Sequence, residues 1–183
     1  MNVKLTREDG TDCWPNLRNK IQYKVGEIVQ ASNWKETSFY KEGLNFGEAA
    51  TCLQWAQVAQ NIQDWPARAF EVEPVGSVEE IKPGLKNAKG LRILRELDFP
   101  QLLSELANDK DWLVRLAVAK NPKTNQETLA KLAKNEESWT IREAVAENPN
   151  TDKETLSELC NDSRWYVKEG ARINLEKRKK AKG

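Results

Sequence analysis

A block in the second half of the chain occurs three times, and it constrains the fold more than any other feature. It runs from Trp112 to Pro122, recurs from Trp139 to Pro149, and recurs in altered form from Trp165 to Asn174. The first two tryptophans are 27 residues apart and the last two are 26 apart. A fixed period of this length is typical of solenoids of stacked helices, which commonly present a surface to a partner.

Each unit of the repeat is predicted to contain two helices. In the first block Val114, Ala117 and Val118 have the i, i+3, i+4 spacing of an amphipathic helix, and the second block keeps that spacing. Asn-Pro then ends the helix, because proline cannot continue it. The segments Thr124–Glu127 and Thr151–Glu154 match the T-x-x-E capping box, so we expect each threonine to cap a second helix. Three residues are predicted as the buried stripe of the last such helix: Leu156, Leu159 and Cys160.

The pattern W-x-V-R-x-A-V-A-x-N-P-x-T across about residues 100–175 resembles the variant leucine-rich repeat, and more distantly the HEAT repeat. The resemblance implies a helical solenoid. The spacing here is two or three residues longer than is usual in that family, and the tryptophan is unusually regular. Some relatives carry an iron-sulfur cluster, but clustered cysteines are absent from this sequence, so we expect no cluster and no other cofactor or metal.

The first half of the chain has a different periodicity, which indicates a small α+β domain. Alternation predicts strands at residues 21–25, 68–75, near 78–81, and at 90–97, and helical spacing predicts a helix over residues 46–60. The expected fold class is therefore α+β, with this domain at residues 1–97, an all-α helical-repeat solenoid at 98–175, and a basic tail at 176–183. Residues 20–97 also resemble an uncharacterised small domain of phage and prophage proteins, through Tyr23-x-Val-Gly26, Gly43-Leu-Asn-Phe46 and Phe70–Gly76.

Composition excludes several classes of function. The chain has 29 basic and 28 acidic residues, so no global field steers it to nucleic acid or membrane. It has no histidine, which removes Ser-His-Asp and Cys-His catalysis and imidazole-bound metals. Its three cysteines are widely spaced and predicted to be reduced thiols. Without a long apolar run or an apolar N-terminal stretch, the sequence predicts a soluble, cytoplasmic protein that does not bind membranes.

Candidate binding residues lie in the repeat. Trp112, Trp139 and Trp165 could form an aromatic row on a binding face, although their register with the buried Val or Ile two residues on favours packing. A row of cations occupies another aligned position of the repeat: Arg115, Arg142 and Lys168. These cations could clamp phosphates or carboxylates, but the favoured role is pairing with acids of the repeat, such as Asp109, Asp111 and Glu143. Asn121 and Asn148 precede proline, which favours a turn-forming role. Variable positions suggest an exposed surface: Leu116, Glu143 and Glu169, and Lys120, Glu147 and Ile173.

Three functions remain open from the sequence. The preferred one is a non-enzymatic interaction module, of phage or prophage origin, that binds or inhibits a host protein. A second is nucleic-acid binding through the basic segment Lys177–Lys182. A third is an ADP-ribosyltransferase-like enzyme that uses Glu71 and Glu73 with Tyr23 or Tyr40, although alternating Glu on an exposed strand face explains the two acids equally well.

Overall fold

The structure is a computed structural model that describes residues 1–11, 21–31, 44–56 and 65–180. The chain divides into two compact units, Met1–Phe99 and Pro100–Gly183. The first unit is built on an antiparallel five-stranded sheet and the second on helices, which confirms the α+β class with a helical C-terminal region. Within the described residues, no helix is long and apolar enough to cross a membrane.

The first unit has one helix beside its strands in the part of the chain that is described. Its elements are β1 (Val3–Thr6), β2 (Ile28–Gln30), β3 (Leu44–Gly47), α1 (Ala49–Ala56), β4 (Arg68–Lys82) and β5 (Leu85–Leu97). All pairings are antiparallel, and β1, β4, β5 and β3 pair in a closed ring, with β2 attached to β5. The ring encloses a core that includes Tyr23, Phe46 and Phe70.

Several predictions for this unit were wrong in their boundaries. Residues 21–25 are not a strand, since only Gln22 forms an isolated bridge with Thr11, and the strand follows at β2. The strands predicted at 68–75 and 78–81 are one strand, β4, whose register with β5 shifts at bulges. Phe46 lies in β3 rather than in a helix, and α1 begins at Ala49. The end of the predicted helix, from residue 57 to 60, lies outside the described residues.

The second unit consists of helices that follow the predicted blocks. They are α2 (Phe99–Leu106), α3 (Trp112–Lys120), α4 (Gln126–Asn135), α5 (Trp139–Glu147), α6 (Lys153–Leu159) and α7 (Trp165–Lys180). The predicted apolar stripes are buried, with Val114, Ala117 and Val118 at most 1% exposed. Because the stripe uses small residues, α3 packs on α5 and α5 on α7. Cys160, predicted as core, is only half-buried and caps the end of α6.

The predicted threonine caps are wrong by one residue. Asn125 caps α4 by accepting a hydrogen bond from the Thr128 N–H, and Asp152 caps α6 in the same way. The hydroxyl of Thr124 instead donates to the carbonyl of Val118 at 2.6 Å, and Thr151 does the same to Val145. Each threonine therefore satisfies a carbonyl at the end of the preceding helix, where the helical hydrogen-bond pattern runs out.

Helix α7 is longer than its counterparts because Asn174 is followed by leucine rather than proline. The chain continues as helix, and the Nε of Arg178 donates to the Oδ1 of Asn174 at 3.0 Å. Part of the predicted basic tail, residues 176–180, consequently belongs to this helix.

Candidate functional site

Three stacked asparagines join the repeats from within. Asn121, Asn148 and Asn174 are buried, and we call them the asparagine ladder. The Nδ2 of Asn148 donates to the carbonyls of Ala119 and Asn121 at 2.7 and 2.9 Å, and Asn174 repeats this pattern one unit on. The Oδ1 atoms of Asn121 and Asn148 each accept the backbone N–H two residues on. The predicted turn role is confirmed, and the side chains also link neighbouring units.

The two arginines of the repeat are held inside the scaffold. The Nε of Arg115 donates to Glu136 at 2.7 Å, and its Nη1 donates to the carbonyl of Asp109 at 2.9 Å. Arg142 likewise donates to Asp162 at 2.7 Å and to the carbonyl of Glu136 at 2.9 Å. Each arginine therefore connects two loops through hydrogen bonds. Arg115 joins the loop before α3 to the loop before α5, and Arg142 joins the loop before α5 to the loop before α7. Pairing with acids is confirmed, although Glu136 and Asp162 were not the acids singled out from the sequence.

The pKa values of the two acids are set mainly by their hydrogen bonds to the arginines. The hydrogen bond from Arg115 lowers the pKa of Glu136, and the hydrogen bond from Arg142 lowers the pKa of Asp162, although burial acts in the opposite direction on both. The acid side chains are only 6% and 9% exposed. Lys168, at the third aligned position, forms no ion pair with any residue that the structure describes. The arginines are thus occupied, and a phosphate clamp would have to break these bonds.

The tryptophans are not buried by packing. Trp112 is 48% exposed, Trp139 38% and Trp165 64%, and each is the first residue of its helix. Two residues that sequence reasoning did not single out are exposed beside them, Leu113 and Tyr166. We call these five residues the aromatic edge. The signal for the two additions was available, since each directly follows a tryptophan at a position where the repeat varies.

The aromatic edge is a continuous cluster in its second half. The ring of Tyr166 stacks on Trp139 with centroids 5.8 Å apart, and it meets Trp165 edge to face with centroids 5.2 Å apart. The exposed charged residues just before the three tryptophans are of mixed sign. Lys110 and Glu137 each lie two residues before a tryptophan, and Arg164 lies directly before Trp165. The edge is therefore an apolar surface with isolated charges, which differs from the continuous cationic track that a nucleic-acid backbone needs.

The variable positions do not form one exposed surface. Leu116 is buried, so its suggested surface role is wrong. Glu143 is half-buried, and burial, followed by the nearby charge of Glu147, raises its pKa while Lys120 opposes the shift. Lys120 and Glu147 are exposed, and they are the last residues of α3 and α5, at the ends opposite to the tryptophans.

The proposed catalytic residues are not brought together. Tyr23 is 1% exposed in the core, and the Nζ of Lys4 lies 5.1 Å from its ring centroid. Glu71 and Glu73 lie on the other face of β4 from the core residues, where they pair with Arg95 at 2.6 Å and Arg92 at 3.6 Å across the hairpin. These acids therefore form cross-strand ion pairs. Tyr40, the other aromatic candidate, lies outside the described residues, among which no group of acids or thiols is placed to hold a metal ion.

Comparison with known proteins supports the assignment of one of the repeats. The family model described as leucine rich repeat variant matches residues 139–164, the unit that contains α5 and α6. A search of the curated proteins and a search of the solved structures gave no match. The likeness of residues 20–97 to a phage domain gains no support and stays a prediction. The second unit is therefore similar, over one repeat, to variant leucine-rich repeats.

Proposed function

We propose that this chain is a non-enzymatic interaction module whose helical repeats bind a protein partner through the aromatic edge. The observation that carries the proposal is the exposure of three tryptophans in register, two of which, Trp139 and Trp165, are joined through Tyr166. Tryptophan and tyrosine dominate the binding energy of protein interfaces because each offers a large apolar area with little conformational entropy to lose. The match to a helical-repeat family supports the same class of function.

The energy available at the aromatic edge is sufficient for binding. A tryptophan side chain that is about half exposed offers on the order of 100 Å², and its burial is worth ~2.5 kcal/mol at ~25 cal/mol per Å². Three tryptophans and Tyr166 together represent ~10 kcal/mol before the cost of association. Since that cost is itself at least ~4 kcal/mol, ~6 kcal/mol or less remains, which corresponds to a weak interaction with a Kd of ~40 µM or higher.

The three tryptophans are each more than a third exposed, and their replacement gives a direct test, with circular dichroism at 222 nm to check that the variant is folded. We would compare the wild-type chain with Trp112→Ser/Trp139→Ser/Trp165→Ser in pull-downs from lysate, with a photo-crosslinker placed at Leu113. A matched control replaces exposed residues in the first turns of α4 and α6, which carry no residue of the aromatic edge, Gln126→Ser/Lys153→Ser/Glu154→Ser. We expect one set of proteins to be retained by the wild type and the control and lost by the tryptophan variant. Retention of the same proteins by that variant would refute the proposal.

We further propose, from the resemblance of residues 20–97 to a phage domain, that the partner is a host protein. The pull-down is then made from lysate of the bacterial host. If the recovered protein came only from phage-encoded material, this origin would be wrong while the binding role of the aromatic edge would stand.

Nucleic-acid binding is retained as a second candidate on one observation. Lys177, Lys179 and Lys180 are exposed on the last turns of α7. If they bind phosphates, affinity for an oligonucleotide should fall steeply with salt and drop in Lys177→Gln/Lys179→Gln/Lys180→Gln. Affinity that is insensitive to both would remove this candidate.

A further inference from the structure

The exposed rings of the aromatic edge are followed by a row of acids on the same helices. On α5, Glu143 follows Trp139 by four residues, and Glu147 is one further turn along. On α7, Glu169 follows Trp165 by four residues. Residues four apart lie next to each other on one side of an α-helix. We call Glu143, Glu147 and Glu169 the acidic row.

The acids of α5 and α7 lie close to one another because these two helices pack together. Their close approach is seen at Gly170, where an added Cβ would lie 3.4 Å from the Cγ of Glu147. Glu169 is the residue before that glycine. At the start of the same two helices, Tyr166 stacks on Trp139 with centroids 5.8 Å apart. Because four residues of an α-helix rise about 6 Å, a partner that covers the rings lies about one turn from the acidic row.

The acidic row is not neutralised by the scaffold. None of its three carboxylates forms an ion pair or a side-chain hydrogen bond with a residue that the structure describes, whereas Glu136 and Asp162 are held by arginines. Burial and then the charge of Glu147 raise the pKa of Glu143, and Lys120 opposes this shift without an ion pair. A cation that a partner brings would therefore meet carboxylates with no competing ion pair.

Three cations near the acidic row limit the number of positive charges that a partner can carry. Arg164, Lys168 and Arg172 are close to Glu169 in sequence, yet none of them forms an ion pair with any residue in the described part of the chain. They would repel a polycation, while the acidic row would repel an acidic peptide or a nucleic acid. A segment with a single cation beside apolar groups fits this distribution of charge best.

Aromatic rings beside carboxylates are surroundings that favour arginine over lysine. The planar guanidinium of arginine stacks on aromatic faces, and its forked N–H groups donate to carboxylates in pairs. The ammonium of lysine is a compact point charge that lacks this planar stacking. Tyr166 and Trp165 are both more than half exposed, so ring surface is available near the acids.

We infer that the aromatic edge binds a segment of a protein partner that carries an arginine, whose guanidinium lies on the exposed rings of Trp165 and Tyr166 and donates to the acidic row. Apolar residues beside that arginine cover the remaining ring surface. The inference rests on the proposed function, since it names the chemistry of the protein partner for the same surface.

Titration of the full chain with defined peptides tests the inference. The first probe is a short peptide with one arginine between leucine and glycine residues, and the second carries citrulline, which has the shape of arginine but no charge. We would follow the indole ¹⁵N–¹H signals by NMR, assigned with single tryptophan substitutions, because the chain has seven tryptophans. We expect the arginine peptide to shift the signals of Trp139 and Trp165, and the citrulline peptide to bind at least about tenfold more weakly.

Two variants with the same change in net charge locate the site. Glu143→Gln/Glu169→Gln removes two carboxylates of the acidic row and keeps the shape of the side chains, and we expect it to bind the arginine peptide about tenfold more weakly. The control Glu105→Gln/Glu154→Gln changes exposed acids of α2 and α6 and should bind like the wild type. Circular dichroism at 222 nm checks that both variants are folded.

The outcomes distinguish this inference from the function on which it rests. If citrulline serves as well as arginine, or if Glu143→Gln/Glu169→Gln binds the arginine peptide as well as the control does, the inference is wrong. It is also wrong if the arginine peptide leaves the indole signals unchanged, or if an oligonucleotide or an acidic peptide shifts them in its place. In each of these cases, tryptophan-dependent capture of a protein would leave the proposed function intact.

Discussion

Removal of the Asn148 side chain should weaken the connection between neighbouring repeats. Asn148→Ala deletes two hydrogen bonds to buried carbonyls of the preceding unit and one from the N–H of Asn150. At about 1 kcal/mol for each bond, and more where a buried acceptor is left unpaired, the expected loss is ~3 kcal/mol of unfolding free energy. The asparagine ladder connects the repeats that contain α3, α5 and α7, so the loss should lower the stability of the whole second unit.

Urea unfolding followed by circular dichroism at 222 nm measures this loss, since most of the described helix lies in the second unit. With a slope of ~1.5 kcal/mol per molar urea, ~3 kcal/mol lowers the midpoint by ~2 M. Asn161→Ala is the matched control, because its amide makes only a long bond of 3.4 Å within its own helix segment. That control should change stability by less than ~0.5 kcal/mol.

A further variant tests the role of the amide donor itself. Asn148→Asp keeps the acceptor for Asn150 but places an oxygen against the carbonyls of Ala119 and Asn121. Since a buried carboxylate facing two carbonyls favours its protonated form, this variant should be less stable at pH 7 than at pH 4 relative to wild type. If Asn148→Ala costs no more than Asn161→Ala, the asparagine ladder does not hold the units together and the argument fails.

Three other outcomes follow from single sites. Gly170→Ala should raise the free energy of unfolding by up to ~1 kcal/mol in thermal unfolding, because alanine is favoured over glycine inside a helix and its Cβ would lie at an ordinary 3.4 Å from that of Ala146. A loss of stability would show that this contact cannot relax. Asp162 has a lowered pKa, so its contribution to the free energy of unfolding is present above the ordinary value of 3.8 and is lost as pH falls below it. Arg142→Met should therefore lower the free energy of unfolding by ~2 kcal/mol at pH 7, and urea unfolding at several pH values should show a weaker dependence of stability on acid pH than in the wild type. Burial raises the pKa of Cys52 to about 12, so in a variant with serine at the other two cysteines its thiol should react with a disulfide reagent at pH 8 only on unfolding; rapid reaction of the native chain would contradict this.

The sequence predicts the helices of the second unit well because their signals are local. Apolar spacing places each helix, and proline after Asn121 and Asn148 ends two of them. The cap of α4 was misplaced because Thr124 and Asn125 are both good caps and stand side by side. Asn125 takes the position, while Thr124 bonds to a carbonyl six residues earlier, a contact that depends on how the turn folds back.

Features of the fold that depend on distant residues were not predictable in this way. β1 has only four residues, and although apolar and polar residues alternate in it, all four are buried and even Lys4 is 1% exposed. Its place between β3 and β4 comes from ring closure, for which no local pattern exists. The acids that pair with Arg115 and Arg142 are likewise 21 and 20 residues away in sequence. The strand order of the sheet and the partners of the arginines therefore depend on contacts between residues distant in sequence, which local patterns do not predict.

The recurring residues of the repeat divide into those that are held inside the scaffold and those that stay largely exposed. The apolar stripe packs between helices, the arginines bind the acids of the loops, and the asparagines and threonines satisfy carbonyls of the helix ends. Recurrence of these residues is explained by folding alone. The tryptophans recur with the same regularity, yet their rings remain 38–64% exposed. Since a large apolar side chain adds little to stability where it stays in water, we propose that their regular placement serves binding.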